Sequence, residues 1–504
     1  MGPFLVQLLR RHAAASPDAR CLTFGTEQLT FRDLDLRSNR VANALLQRGA
    51  RRGDRIAIIA HTGPEFYELA FGCAKAGAIM MPLNWRLSAP EIAAIFADGC
   101  PRLVVVGTDL RELLSGVADP PDSVALGTDY SRWRDAAAAT DPDAPIRADD
   151  PALLLYTSGT TGQPKGVTLG HGSLSFVERT AREIWAFTAG SVNLVAMPLF
   201  HIGGIGYGMM ALSQGGHTVL LAQPDPQATI LAMQRHGVTH AFFVPTVIQR
   251  LVDHVDRTGA TPASLQRIVY GAAPIGESLL RRAIAVFNCG FSHAYGLTET
   301  AGTVISLAPA DHDPDGPHAG RLRSCGRPLP WAELALVDPQ TGARTPAGEV
   351  GEIRIRSAMN MLGYWGKPAE TDAAITPDGW LCTGDAAYRD PDGFVYIHDR
   401  YKDLIVSGGE NIYPAEIERI LLTHPQIAEV AVIGVSHPVW GETPSAYVVA
   451  RGGSAPSEAE LIEFTRAHLA HFKCPTSVAF VATLPRNASG KVLKRELRNL
   501  AQSR

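Results

Sequence analysis

An α/β fold of more than one domain is what this sequence predicts, on three observations. Short β-branched and apolar runs alternate with longer helical patterns, which is the rhythm of βαβ units. Several runs, LVVV at 103–106 and LLLY at 153–156 among them, are continuously apolar, as strands covered by helices on both faces must be. The chain has 504 residues, more than one hydrophobic core usually organises.

In order, the expected strands lie at 55–60, 103–106, 153–156, 218–222, 241–244 and 267–270. In open sheets of this kind ligands sit at the loops leaving the carboxyl ends of the strands, and 156–166 is such a loop. After about Pro309 the texture changes to a proline-, aspartate- and glycine-rich stretch through Gly320. Strand-like segments follow at 334–337, 352–355 and 394–397, and predict a smaller, β-rich subdomain. The last hundred residues restart with a strand at 404–406, a GGENIYP turn and an amphipathic helix at 415–422. A strand at 430–433, a helix at 459–469 and a strand at 478–481 complete a compact α+β unit. Its junction, DRYKD at 399–403, is short and charged and reads as a hinge between two packed bodies.

Net charge near −4 with 19% charged residues provides no basic field for nucleic acid, so small-molecule partners are expected. Seven cysteines, an odd number without a CxxC pair, argue against a disulfide framework and a zinc site, and fit a reducing cytoplasm. The N-terminal MGPFLVQLLRRH places its basic residues after the apolar run, unlike a secretory signal, and Val6 spoils a myristoylation match. Residues 194–212 carry no charge, but Pro198, His201 and glycines at 203, 204, 206 and 208 argue against a transmembrane segment. Arginine outnumbers lysine 39 to seven. Lys165, Lys402 and Lys491 stand in glycine-rich contexts where a compact ammonium on a flexible stem suits better than a planar fork, although solvation explains any single one.

The segment YTSGTTGQPKG at 156–166 has the composition of a phosphate-gripping loop. Gly159, Gly162 and Gly166 let backbone N–H groups approach an anion, Thr157, Ser158, Thr160 and Thr161 offer hydroxyls, and Lys165 adds a charge. It is not a Walker A loop, because Pro164 precedes the lysine and Gly166 follows it. A polar surface turn is the alternative.

Further segments combine polar groups with turn chemistry. PLFHIGG at 198–204 sets His201 beside small residues, as in a pocket wall, though a lone histidine is more often a core or surface residue. YGAAP at 270–274 ends a strand in residues small enough for a flat group to lie on the backbone; tight strand-to-helix packing explains it equally well. YGLTET at 295–300 joins an aromatic to the Thr298 hydroxyl and to Glu299, a hard oxygen ligand for Mg²⁺, and reads equally as a helix N-cap with a first-turn acid. TGD at 383–385 and Arg400 suit ribose hydroxyls, or are surface features. PRNASGK at 485–491 holds Lys491 on a glycine-containing loop, where a cation can be brought to a reacting phosphate.

Together these motifs resemble the adenylate-forming (ANL) superfamily of acyl-CoA synthetases, luciferases and adenylation domains, over essentially the whole chain. SGGENIYPAEIE at 407–418 is most similar to stand-alone CoA ligases. The resemblance implies a large N-terminal domain, 1–398, of two βαβ-type subdomains plus a small β-barrel, a hinge at 399–402 and a mobile α+β C-terminal lid, 403–504. It implies that Thr157, Ser158, Gly159, Thr160, Thr161, Gly162 and Lys165 grip the ATP phosphates. Gly271, Ala272, Ala273, Pro274, Tyr295 and Gly296 would flank adenine, and Asp385 and Arg400 would hold ribose. Thr298 and Glu299 would meet phosphate and Mg²⁺, with Glu299 the metal ligand, and His201 would border the acyl group. Lys402 matches the hinge and Lys491 the lysine of the chemical step. Gly408, Gly409 and Glu410 would turn toward the site for thioester formation, and Trp440, Phe472 and Lys473 would contact coenzyme A. The sequence departs from many relatives in having DR at 399–400 in place of GR.

The implied reaction has two halves. A carboxylate attacks the α-phosphate of ATP to give acyl-AMP and pyrophosphate; the lid then turns about Lys402, withdraws Lys491, and admits the thiol of CoA. Gly203, Gly204, Gly206, Gly208, Ala272, Ala273, Ala301 and Gly302, small and none basic, are expected with His201 around an uncharged acyl tail. A medium- or long-chain fatty acid is the first expectation and an aryl acid the second, ahead of a dicarboxylate. A carrier-protein phosphopantetheine as acceptor, and a non-catalytic nucleotide-binding relative, are the alternatives. The PxxxxGK context of Lys491 also matches relatives silenced by a lysine acetyltransferase. Oligomeric state is left open, a homodimer included.

Overall fold

The computed structural model describes residues 4–157, 164–400, 403–407, 410–452, 456–487 and 490–502, with backbone alone for Asp399, Arg400, Glu410, Asn411 and Gln502. Two largely parallel sheets organise the first three hundred residues. One has seven strands in the order Gly363–Tyr364, Lys165–Gly170, Pro151–Thr157, Ile79–Leu83, Arg55–Ile59, Leu103–Val106 and Asp122–Ala125. Ile79–Leu83 and Leu103–Val106 are buried at every position, which is why their sequences do not alternate.

The second sheet has nine strands: Arg327–Pro328, Gly302–Leu307, Gly290–Leu297, Arg267–Gly271, His240–Phe243, Val192–Val195, His217–Leu220, Arg20–Phe24 and Glu27–Thr30. Pairing is parallel from Gly290–Leu297 through Arg20–Phe24. From Val192–Val195 the chain adds His217–Leu220 on one side, then crosses to add His240–Phe243 on the other. The strand order therefore reverses at Val192–Val195, and a crevice forms where the two loops leave the carboxyl ends in opposite directions.

The helices between strands carry the end signals that stop them. Pro226–His236 begins with Asp225 accepting from the N–H of Ala228 at 2.9 Å, has proline in its first turn, and ends at Gly237 with φ +63, the left-handed stop that glycine adopts without strain. Ile202–Ser213, IGGIGYGMMALS, is almost wholly buried. Each of its four interior glycines costs about 1 kcal/mol against alanine in helix propensity, so close packing must compensate. A methyl group on Gly204 would overlap the carbonyl of Pro198, and one on Gly208 the hydroxyl of Tyr67.

The β-rich subdomain expected as a small barrel takes the form of a four-stranded antiparallel sheet in chain order, Glu333–Val337, Gly351–Arg356, Leu381–Arg389 and Val395–Arg400. The C-terminal unit is a five-stranded sheet built on the long hairpin Ile427–His437 and Gly441–Ala450, with Ser477–Phe480 joined in parallel. Helices Pro414–Leu421 and Glu458–Arg466 bury Ile417, Leu421 and Leu461 against one face. Lys494–Gln502 buries Leu497 on the other. Among the described residues no helix is long and apolar enough to cross a membrane, and all seven cysteines are free.

Candidate active site

The glycine-rich loop joins an antiparallel hairpin. Tyr156 faces Gly166 and Thr157 faces Lys165 across Pro151–Thr157 and Lys165–Gly170, so both ends of the loop are fixed by strand pairing. Ser158, Gly159, Thr160, Thr161 and Gly162 lie outside the described residues. The Tyr156 hydroxyl donates to Asp98 Oδ2 at 2.7 Å, and Lys367 Nζ pairs with Asp98 Oδ1 at 2.8 Å. Lys165 Nζ sits 4.9 Å above the ring of Tyr364.

At the carboxyl end of Arg267–Gly271, a Cβ on Gly271 would strike the carbonyl of Ala294, so this glycine serves the close approach of neighbouring strands. Ala272 beside it has φ +65, a conformation that costs a non-glycine residue roughly 1–2 kcal/mol. Such strain is kept where the surroundings demand it, often at functional sites. Ala272 and Pro274 are exposed beyond the carboxyl end of this interior strand and Ala273 is half-buried. Tyr295 and Gly296 lie on the adjacent parallel strand, Gly290–Leu297. The Tyr295 hydroxyl donates to Asp385 Oδ2 at 2.7 Å across 90 residues of sequence, and Asp385 is buried and pairs in register with Arg400. Burial, then the Asp385 charge, holds the Tyr295 phenol well above its usual range, so it remains the donor.

Thr298 and Glu299 follow in a three-residue 3₁₀ turn, Thr298–Thr300, where a helix N-cap was the alternative reading. The turn is closed by Thr300, whose hydroxyl accepts from the N–H of Leu297 at 2.9 Å, and Ala301 leaves it with φ +50. Glu299 Oε1 accepts from the Tyr364 hydroxyl at 3.0 Å. Among the described residues its other oxygen has no hydrogen-bond or ion-pair partner. No group of three or more His, Cys, Asp or Glu able to hold a metal occurs among them. A lone, unneutralised carboxylate suits Mg²⁺, which keeps several waters and takes its remaining oxygens from substrate phosphates.

His201 stands at the N-terminal boundary of Ile202–Ser213, with no capping bond from its side chain. Its Nε2 is buried without a hydrogen-bond partner among the described residues, and its ring lies 4.6 Å from that of Phe200. Burial, reinforced by the Arg86 charge, lowers its pKa to about 4, so the imidazole is neutral at pH 7. Of the glycines expected around an acyl group, Gly203 faces Phe242. Gly204 and Gly208 instead serve helix packing, because a side chain at either would meet Pro198 or Tyr67 rather than open space.

Lys491 stands in a turn of the C-terminal unit whose Gly490 lies beside residues following His240–Phe243. Its N–H donates to Asn487 Oδ1 at 2.8 Å, its carbonyl accepts from the N–H of Asn487, and Gly490 beside it has φ +84. A Cβ on Gly490 would lie 3.5 Å from Thr246 Oγ1 and 3.7 Å from Val244 Cγ2. These two residues follow the strand His240–Phe243, one wall of the crevice.

Lys402, Gly408 and Gly409 lie outside the described residues, as do the side chains of Arg400 and Glu410. Trp440 and Phe472 are exposed. Lys473 is held by Glu416 at 2.9 Å, so its ammonium is engaged within the C-terminal unit. The sequence reading missed Tyr364, which stands in no polar motif, and Arg86. The Arg86 guanidinium stacks 4.3 Å over Trp85 and has no ion pair among the described residues.

Strand-end loops of a parallel sheet that converge with a lysine turn from a second unit define an α/β nucleotide-using enzyme of two parts. Residues 9–365 match the AMP-binding enzyme family and residues 416–491 the AMP-binding enzyme C-terminal domain, and the chain belongs to this family. It is an ATP-using acid–thiol ligase. It is 38% identical to a fatty acid–[acyl-carrier-protein] ligase, ScoC, of Streptomyces coeruleorubidus, over 98% of this chain and 96% of the relative. It is also 38% identical to a feruloyl-CoA synthase of Amycolatopsis, over 97% of each. ATP-bound MatB from Rhodopseudomonas palustris superposes with a TM-score of 0.92 at 31% identity, covering 100% of this chain and 99% of MatB; apo MatB gives 0.80.

Proposed function

We propose that the chain is a carboxylic acid–CoA ligase acting on a medium- or long-chain fatty acid, and that the arrangement described is the acyl-adenylate-forming state. The observation that carries the assignment of this state is the seating of Gly490, next to Lys491, against Val244 and Thr246, at the crevice where the strand order reverses. The higher TM-score to MatB with ATP bound than to apo MatB supports the same state.

A carboxylate is a poor acyl donor because its leaving group would be oxide, and ATP supplies a better one. The substrate carboxylate attacks the α-phosphate in line, forming an acyl–phosphate bond and expelling pyrophosphate. Lys491 stabilises the charge that develops at the α-phosphate and carboxylate. Residues 157–165 hold the leaving pyrophosphate, and Thr298 donates to phosphate. Glu299 would hold Mg²⁺, which when bound neutralises phosphate charge. Tyr295 and Gly271–Pro274 frame adenine, and Asp385 with Arg400 takes the ribose hydroxyls. Neutral His201 borders the acyl group. In the second half, residues 403–504 turn about 399–402, with Lys402 at the pivot, and carry Lys491 away. Gly408–Glu410 then face the site, with Trp440 and Phe472 toward CoA.

Gly203 beside Phe242 and Met197, together with the half-buried Ile202, provides an apolar surface beside His201, which suits an uncharged tail. An aryl acid is the second reading, favoured by the likeness to feruloyl-CoA synthase, and transfer to a carrier protein is favoured by the likeness to ScoC. A kinetic panel from propionate through dodecanoate, with benzoates and cinnamates, distinguishes the acids. Peak kcat/KM on a cinnamate overturns the fatty-acid assignment, and absence of thioester with free CoA overturns the CoA assignment.

A further inference from the structure

We propose that Tyr364 is the positioning residue that ties the metal-facing carboxylate of Glu299 to the phosphate loop; this rests on the reading of Glu299 given above. The two residues are 65 apart in sequence, and the Tyr364 hydroxyl donates to Glu299 Oε1 at 3.0 Å. The contact is reinforced along the backbone, where the N–H of Met361 donates to the Glu299 carbonyl at 2.7 Å. On its other side the same segment is bonded to the exit strand of the loop. Tyr364 pairs with Val167, and the N–H of Trp365 donates to the Gly166 carbonyl at 2.7 Å. The Tyr364 ring lies under Lys165 Nζ, and Lys367 grips Asp98, which also receives the hydroxyl of Tyr156 at the loop entrance. Residues 361–367 thus touch the exit strand of the loop and the turn that carries Glu299, and reach the loop entrance through Asp98.

The choice of donor matters chemically. A lysine or arginine in this place would neutralise the carboxylate and compete with a cation. A phenol fixes one oxygen and leaves the negative charge intact, with the second oxygen open toward a ligand. The backbone of Tyr364 is itself held, its N–H donating to Thr371 Oγ1 at 2.9 Å.

The test is calorimetric titration of the full-length protein with a non-hydrolysable ATP analogue, with and without Mg²⁺. Tyr364→Phe removes one oxygen and keeps the ring under Lys165. The expected result is a loss of about 10-fold in the Mg²⁺-dependent gain in affinity, the size typical of ligand-orienting partners. Binding without Mg²⁺ and thioester formation from supplied acyl-AMP stay within about 2-fold. Tyr364→Leu also takes away the ring, and additionally weakens binding without Mg²⁺; if the leucine variant does not fold, the phenylalanine variant carries the test. Equal losses with and without Mg²⁺, or an unchanged Mg²⁺ effect, overturn the assignment. Glu299→Gln separates the two claims. If it abolishes the Mg²⁺ effect while Tyr364→Phe does not, only the tyrosine's role falls. If it leaves that effect intact, the reading of Glu299 falls, and the role of Tyr364 with it.

Discussion

Replacing Tyr295 by phenylalanine deletes one hydroxyl and keeps the ring on its strand, so its consequence is calculable. The lost bond is the 2.7 Å donation to Asp385 Oδ2, made to a carboxylate that is 5% exposed. A hydrogen bond to a charged group contributes about 1.5–3 kcal/mol, which corresponds to a factor of about 10–150. If the hydroxyl acts by holding Asp385 in line for the ribose, Tyr295→Phe lowers kcat/KM for ATP by at least the lower figure, read as pyrophosphate release. In the Asp385→Asn background there is no carboxylate left to aim. There the same substitution changes kcat/KM by less than about 2-fold, the behaviour of two groups in one network. The four proteins of this cycle are compared at one pH, one Mg²⁺ concentration and saturating acid. Equal losses in both backgrounds refute the reasoning, because the tyrosine would then act on ATP through its ring or by direct contact.

Three further outcomes are expected. Lys491→Ala lowers acyl-adenylate formation by about 10²–10³, the cost of removing one preorganised donor, while thioester formation from supplied acyl-AMP stays within about 3-fold; parallel losses in both half-reactions count against the two-state lid. Gly490→Ala forces a side chain into φ +84 at a cost of about 1–2 kcal/mol, and slows adenylation roughly 5–30-fold; a rate equal to the parent's shows that the turn is not needed in this form. His171, His201, His217, His240, His293 and His312 are each lowered to about 4, with burial the largest cause. Below about 6.5 the unfolded chain binds protons that the folded chain refuses, so stability is full above that pH and is lost as pH falls toward 4. Thermal-shift midpoints should decline steeply across that window, and a flat profile from pH 7 to 4.5 contradicts the neutral burial of these rings.

The strands most easily read in the sequence are those buried on both faces. Leu103–Val106 has its expected bounds, and Arg55–Ile59 is one residue shorter than expected. Gly290–Leu297, GFSHAYGL, gave no such signal, because Ser292 and His293 interrupt the apolar run. Both are nonetheless lodged in the fold, each with a buried polar atom that lacks a hydrogen-bond partner among the described residues. The glycines of Ile202–Ser213 suggested a pocket by composition. Two of them are packing surfaces instead, since a missing side chain permits either a ligand or another backbone to approach, and composition does not say which.

What the sequence by itself determined is the set of chemically capable groups. The glycine- and hydroxyl-rich segment at 156–166, Glu299, Asp385 and Lys491 stand out because turns, phosphate contacts and charge stabilisation need those residue types in short, local patterns. What tertiary structure decided is which groups meet. The reversal of strand order sets the crevice, Tyr295 reaches Asp385, Gly490 rests against Thr246, and Tyr364 binds Glu299 to the strand that follows the phosphate loop. Those contacts span from 65 to 244 residues of chain. Their partners are fixed by sheet register and by packing between separate units, and neither leaves a local period in the sequence.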